Sequence, residues 1–386
     1  MKLTEMEAAF QFVSAQDGKW PVDSIAVGDD LTISFHENEV PSFAAAEIDR
    51  LYGHLFCSLS HFQVAKDLKQ ASTYVVRKAS VVITVFLFIR DGHEVKMINE
   101  FAPIDEAAAR LFARSMFARY PSVKVVSFSK VRVELHDLPY PFQKVNCTED
   151  IVVTLPPTVD EYHARLGKNM RRNLKRYTST LQRDFPSYSY HVYVGDEVSE
   201  QQLRDIIELN RTRMAGKSIV SRIDEEETQW IVRFARQCGI VGVATIDGRV
   251  CGGAIGFRIG ENYFMHVIAH DPAYNDYSLG ILCYYETICE GIVRGGKRFH
   301  LLLGRYDYKY RLLGVTQEIA HVDIYRNHFQ ALLHGGRIAA TAINSRVWQA
   351  KLWLLEAERR DDPGSRLATR FVRIARMLKR RVSRAH

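Results

Sequence analysis

Apolar and polar residues recur along this chain with helical and strand periods, most clearly between Asn262 and Gly314. That stretch reads as an apolar strand from Tyr263 to Ala269, a turn marked by Pro272, and an amphipathic helix from Leu279 to Val293. A Gly295-Gly296 stop, a second apolar strand and a polar cluster from Arg305 to Arg311 follow. Strand, turn and helix in this order form a cradle for a phosphorylated ligand, because N–H groups at a helix start lack intrahelical acceptors and lie at the positive end of its dipole. A polar cluster just past the second strand is where loop chemistry sits when both strands share a sheet.

Upstream, Thr73 to Glu100 alternates as two strands about the turn Arg90-Asp91-Gly92-His93. A helix from Asp105 to Tyr120, closed by Pro121, and a strand from Val123 to Phe128 follow, and the Pro-containing segment from Leu138 to Phe142 ends this unit. Thr158 with Glu161 fits a capping box opening a helix from Val159 to Arg183, with Leu166, Met170, Leu174, Tyr177 and Leu181 as its apolar stripe. A strand from Tyr188 to Val194, helices from Glu200 to Met214 and Glu225 to Cys238, and a hairpin of Ile240–Ile246 and Arg249–Arg258 about Asp247-Gly248 complete the second unit. Hairpin, helix and flanking strands in both units suggest two copies of one α/β module. The expected division is residues 1–155, 156–335 and a helical extension 336–386.

At 386 residues, 47% hydrophobic and 25% charged, the composition suits two globular domains with a tail. The apolar run from Val81 to Ile89 is too short for the roughly 20 residues of a membrane-spanning helix and reads as a buried strand. The charged N-terminus does not resemble a secretory signal. Six cysteines with no CxxC pair, and no Cys/His grouping at metal-ligand spacing, read as reduced thiols of a cytoplasmic protein with no bound metal. Net charge is +7, but eight Arg or Lys and no acids lie beyond Pro363, which leaves −1 for the first 362 residues. Leu367, Phe371, Ile374, Leu378 and Val382 recur at helical spacing there. This basic amphipathic segment is expected to lie on the inner face of a membrane, with a partner or RNA as alternatives. Basicity confined to one helix and a tail argues against DNA binding.

The Asp247-Gly248 hairpin, His270-Asp271-Pro272, Tyr277-Ser278-Leu279-Gly280, Gly295-Gly296 and Tyr308-Lys309-Tyr310-Arg311 together resemble the GNAT acyltransferase superfamily. More narrowly they are similar to its CelD/BcsL-type, Fem-like branch, in which the second of two GNAT-like halves carries the active site. The LGKNMRRNLKRY core within Tyr162–Arg183 resembles the basic helix preceding that half. The resemblance implies an α/β fold of two halves on mixed, twisted sheets flanked by helices. It also implies acyl transfer from acetyl-CoA or another acyl-CoA, a cosubstrate rather than a resident cofactor, to an amine of a sugar, amino acid or envelope-polysaccharide precursor. The donor arm would lie along the strand end at Ile268 and Ala269, its pyrophosphate on the amides of Tyr277, Ser278, Leu279, Gly280 and Ile281. The superfamily loop is Gln/Arg-x-x-Gly-x-Gly/Ala. Asn275 and Ser278 replace its first position and first glycine, and Asp276 brings a negative charge. Fem-type relatives take aminoacyl-tRNA as donor, which stands as the alternative, beside a non-catalytic accessory module.

Aminolysis of a thioester needs a base, an oxyanion donor and an acid for the leaving thiolate. His266, His270, Asp307 and Glu286 are candidate bases, against structural roles for each. Tyr284 or Tyr285 is the candidate acid, only one of them able to face a cleft. Lys309 is the candidate oxyanion or phosphate donor, since opposite charges at Asp307 and Lys309 among tyrosines have no evident packing purpose. Arg171, Arg172 and Lys175, with Arg305 and Tyr308, are candidate substrate contacts, the helix arginines offering bidentate forks to phosphate or else forming a solvated face.

Overall fold

The structure, a computed structural model, describes residues 11–13, 24–26, 30–65, 68–216, 221 and 223–357. The basic segment beyond Pro363 and the N-terminal ten residues lie outside them. Fifteen strands are present among the described residues: β1 (Gln11–Val13), β2 (Ser24–Ala26), β3 (Leu31–His36), β4 (Ser72–Lys78), β5 (Val81–Asp91), β6 (Glu94–Met97), β7 (Pro103–Ile104), β8 (Val125–Val133), β9 (Phe142–Thr154), β10 (Ser189–Val194), β11 (Gly239–Ile246), β12 (Arg249–Ile259), β13 (Asn262–His270), β14 (Arg298–His300) and β15 (Val315–Tyr325). They form one mixed sheet in the order β1-β2-β3-β4-β5-β6-β8-β15-β9-β14-β13-β12-β11-β10, with β7 beside β8. Pairing is parallel at β6/β8, β7/β8 and β13/β14 and antiparallel elsewhere. The fold is mixed α/β, a large mixed sheet flanked by helices.

The two halves exchange strands. β9, which ends the first half in sequence, pairs with β14, and its Ile151 and Val153 enter the core of the second half. β15, which ends the second half, pairs with β8, and its Ala320, Val322 and Ile324 enter the first core. Because β9 and β15 also pair with each other, from Val315↔Val152 to Ile324↔Phe142, no seam in the hydrogen bonding separates the halves.

The second half buries both sheet faces. Leu174 and Leu181 of the helix Lys168–Asp184 and Leu282 and Ile288 of Leu279–Val293 cover one; Ile206 of Glu200–Gly216 and Phe234 of Glu225–Cys238 cover the other. Local chemistry explains the element boundaries. Asp224 and Asp105 cap their helices by accepting the N–H of Glu227 (2.9 Å) and Ala108 (2.7 Å). Asp247 and Gly248 both take positive φ, 51° and 73°, as a two-residue hairpin turn of the right twist requires.

Two expectations are corrected, and the second apolar strand is short. The helix expected from Val159 to Arg183 is two helices, Val159–Arg165 and Lys168–Asp184, because Leu166 turns extended (ψ 142°) and Gly167 caps the second. β14 is only three residues long. The run Val81–Ile89 is a strand, but Val81 and Ile83 are exposed. No helix among the described residues is long and apolar enough to cross a membrane.

Candidate active site

β13 and β14 are paired only from Asn262↔Arg298 to Phe264↔His300. Beyond that point β13 continues to His270, while the chain after His300 stays with β9, Leu301 donating its N–H to the Ile151 carbonyl at 2.7 Å. The strands therefore part, and a cavity of about 1010 Å³ fills the opening. Its walls come from both faces of the sheet: Asn210, Arg213, Met214 and Glu227 from one, Ser278, Gly280, Ile281 and Tyr284 from the other, with Leu301, Leu302 and Leu303 below.

β13 carries a bulge at the opening. Ile255 pairs with Val267 and Gly256 with Met265, so His266 is the extra residue. A bulge re-aims the side chain it carries, and His266 packs beside Trp230 with Nε2 3.2 Å from Glu227 Oε1. Further along, Asn210 Nδ2 donates to the Ile268 carbonyl at 3.4 Å.

At the rim, Ser278 sits in the left-handed region (φ 53°) immediately before the helix Leu279–Val293. The substituted loop thus keeps the backbone shape a glycine gives easily, at a steric cost on Ser278. Gly280 allows a close approach, since a Cβ there would lie 3.0 Å from His270 Nδ1 and the imidazole would have to give way. His270 Nε2 is 2.9 Å from Asn275 Oδ1, closing the turn. Asp276 is exposed and does not line the cavity.

Tyr284 lines the cavity with its hydroxyl 3.4 Å from that of Tyr308, and burial raises its pKa well above the usual phenol value, keeping it protonated. Tyr285 instead packs on Tyr162 and His163, so the helix turns only Tyr284 into the cleft. Glu286 does not line the cavity.

Beneath the opening lies a buried polar cluster from both halves. Asp150 Oδ2 accepts from His300 Nδ1 at 2.5 Å and faces His54 Nε2 at 3.5 Å. Burial alone would raise the Asp150 pKa, but the hydrogen bonds from His300 and His54 outweigh it and hold the carboxyl well below its usual range. Its neighbour Glu149 accepts from Arg305 Nε at 2.7 Å. His54, Asp150 and His300 have ligand atoms within 4.8 Å of one another, the spacing of a metal site. The tautomer argues otherwise: His54 Nδ1 accepts the Phe56 N–H at 3.3 Å, which leaves the proton on the Nε2 that faces Asp150.

Residues 168–310 match the family model of the acetyltransferase (GNAT) domain. That segment is thus similar to a GNAT acetyltransferase domain. Among solved structures, FemX matches with a TM-score of 0.56 at 10% identity, covering 76% of this chain and 98% of that one. At such identity the shared property is the fold. A conserved protein of unknown function from Bacteroides thetaiotaomicron VPI-5482 matches at TM-score 0.48 and 12% identity over 76% and 100% of the two chains. A tandem GNAT protein from the clavulanic acid biosynthesis pathway matches at 0.38 and 11% over 76% and 98%. No curated protein matches the chain by sequence.

Within the matched segment the cavity gathers His266, Tyr284, Lys309, Ile268, Ser278, Gly280, Ile281 and Tyr308. Other candidates lie elsewhere. Asp307 opens the short helix Asp307–Arg311 on its exposed side, away from the cavity, because residues on a helix point about 100° apart and Tyr308 and Lys309 turn inward. Lys309 does have a packing purpose: Nζ donates to the carbonyls of Leu301 (2.6 Å), Leu302 (3.0 Å) and Leu303 (2.6 Å), which holds the cavity floor and leaves no proton for an oxyanion. Burial lowers its pKa to about 8. Ala269 and Leu279 are fully buried in the cores on opposite faces. Tyr277 packs on Phe185 and donates to Asp184 at 3.1 Å. Arg305 is held by Glu149, and Arg171, Arg172 and Lys175 lie outside the cavity on the helix Lys168–Asp184, Arg171 donating to the Ala164 carbonyl. Sequence reasoning missed Asn210, Arg213, Glu227, Glu149 and Asp150. Only the last two left a signal, as adjacent acids at the start of an apolar run, EDIVV.

Proposed function

We propose that the protein is an N-acyltransferase moving an acyl group from acyl-CoA to a primary amine. The observation that carries this reading is the parting of β13 and β14 into a cavity that ends at the start of the helix Leu279–Val293. Met214, Ile223, Met265, Ile268 and Ile281 offer an apolar path for a pantetheine arm, and the helix start offers N–H groups for phosphate. His266, with Nε2–H turned to Glu227, presents Nδ1 as proton acceptor. The amine nitrogen bonds to the thioester carbonyl carbon as His266 takes its proton; the C–S bond breaks and Tyr284 gives its phenol proton to the departing thiolate. The products are an amide and free thiol. The motif resemblance supports a CelD/BcsL-type protein acting on sugar, amino-acid or envelope-precursor amines, and the basic amphipathic pattern beyond Pro363 supports work near the inner membrane face.

A second reading, aminoacyl transfer from charged tRNA, draws on the exposed Lys168, Arg172, Lys175 and Arg176 of one helix that carries no acid before Asp184. Thermal shift against acetyl-CoA, longer acyl-CoAs and charged tRNA, with thiol release measured in parallel, tests both. Stabilisation by acyl-CoA and amine-dependent thiol release are expected, since a ligand of the native state must raise stability. A flat response to all three donors would sink both readings.

A further inference from the structure

We propose that the acceptor enters this cavity as a cation, drawn in by the carboxylates of Glu149 and Asp150; this deepens the transfer reading and rests on it. The two acids are adjacent on β9, are each 2% exposed and both line the cavity. Each is held by one oxygen only. Arg305 occupies Glu149 Oε2, and the two histidines occupy Asp150 Oδ2. Glu149 Oε1 and Asp150 Oδ1 are buried with no hydrogen-bond partner among the described residues.

A buried carboxylate oxygen without a donor is costly, and ionised carboxylates can only accept. The protein's own cations in this cavity do not serve them: Lys309 gives its three protons to backbone carbonyls, and Arg213, which also lines the cavity, makes no hydrogen bond to either oxygen among the described residues. Successive residues of a strand leave opposite faces of the sheet, so the two bare oxygens lie on either side of the opening, and together they favour a positively charged group with several N–H donors, which is a primary ammonium. The clamp by His54 and His300 keeps Asp150 ionised, so it binds and positions the amine rather than deprotonating it. The bound ammonium sheds one proton to solvent before attack, and His266 takes the second as the amide bond forms. A divalent metal is the competing occupant, disfavoured by the His54 tautomer and by the Arg132 charge that bears on His54.

The full-length protein, with acetyl-CoA present, is to be titrated in thermal-shift assays with D-glucosamine, L-lysine amide and spermidine, against D-glucose and L-norleucine amide's N-acetylated form at matched ionic strength. At least one cationic amine should raise Tm where the uncharged compounds do not. Glu149→Gln should weaken its binding roughly tenfold or more while the shift with acetyl-CoA alone is unchanged; Asp150→Asn should do the same if it folds. Equal shifts from charged and uncharged compounds, no shift from any amine, or unaltered amine affinity in Glu149→Gln would overturn the proposal. So would about one zinc per purified chain whose chelation lowers Tm. Amine shifts without any response to acyl donors would leave this site standing and remove the transferase reading instead.

Discussion

His266 and Glu227, 39 positions apart, meet with Nε2 3.2 Å from Oε1 beside the opening of β13 and β14. The contact assigns the imidazole tautomer, and in the proposed reaction Glu227 is the positioning residue for the base. His266→Asn should lower kcat about 10²-fold or more. Glu227→Gln should lower it less and shift the acid limb of the pH–rate profile, with the acetyl-CoA thermal shift intact. An unaltered profile in Glu227→Gln would remove Glu227 from the mechanism.

Tyr284 is the one phenol of its helix that faces the cavity, and burial keeps it protonated. Tyr284→Phe should lower kcat about 10²-fold with coenzyme A thioesters. Thioesters of aromatic thiols, whose leaving groups need no proton, should recover most of that loss. Equal losses with both classes would show a packing role.

Ser278 takes φ 53° at the head of the helix, a conformation that costs an L-residue about 1–2 kcal/mol. Ser278→Gly should therefore be neutral or stabilising by up to about 1 kcal/mol in denaturant unfolding. Gly280→Ala should raise KM for the donor more than it lowers kcat, because its Cβ meets His270 Nδ1 at 3.0 Å. A Gly280→Ala protein with normal donor affinity would contradict the donor site.

His54 is buried neutral, its pKa pulled by burial down to about 4 from 6.5 despite the opposing hydrogen bond to Asp150. The unfolded chain protonates this histidine as pH falls through 6.5 and the folded protein only near 4, so stability is lost across that window on acidification. Asp150, held below its ordinary 3.8, extends the loss to lower pH, because its unfolded form protonates first. His54→Phe should flatten the pH 4–6.5 limb of the Tm curve. Unfolding that keeps the wild-type slope would assign the acid lability to other groups.

Lys309 ties the loop 301–303 by three hydrogen bonds. Lys309→Met should destabilise the protein by about 2–4 kcal/mol in chemical unfolding, leaving three carbonyls unmatched. Wild-type stability with lost activity would restore it as a chemical participant.

Much of the architecture was legible because it is local. The helices Glu225–Cys238 and Leu279–Val293, the Asp247-Gly248 turn and the strands flanking them follow from apolar periodicity, caps and positive-φ turn residues, each set by neighbours within a few positions. The motif pair at Tyr277–Gly280 and Tyr308–Arg311 likewise pointed to the GNAT domain that residues 168–310 match.

The site was legible only where its residues lie on one element. Ser278, Gly280 and Ile281 share a helix start, so their common placement could be read along the chain. Asp307 and Lys309 could not be told apart by spacing, since which side of a five-residue helix faces inward depends on what packs against it. Glu227, Asp150 and His54 come from distant segments, and no pattern in the sequence joins them. The sequence by itself determined the helices Glu225–Cys238 and Leu279–Val293 and the strands that flank them, because propensity and periodicity act over a few residues, whereas Phe142–Thr154 and Val315–Tyr325 were not read from it. Only the tertiary structure decided the exchange of β9 and β15, the parting of β13 from β14 and the buried acids beneath it, because sheet order and burial are set by contacts between segments far apart in the chain.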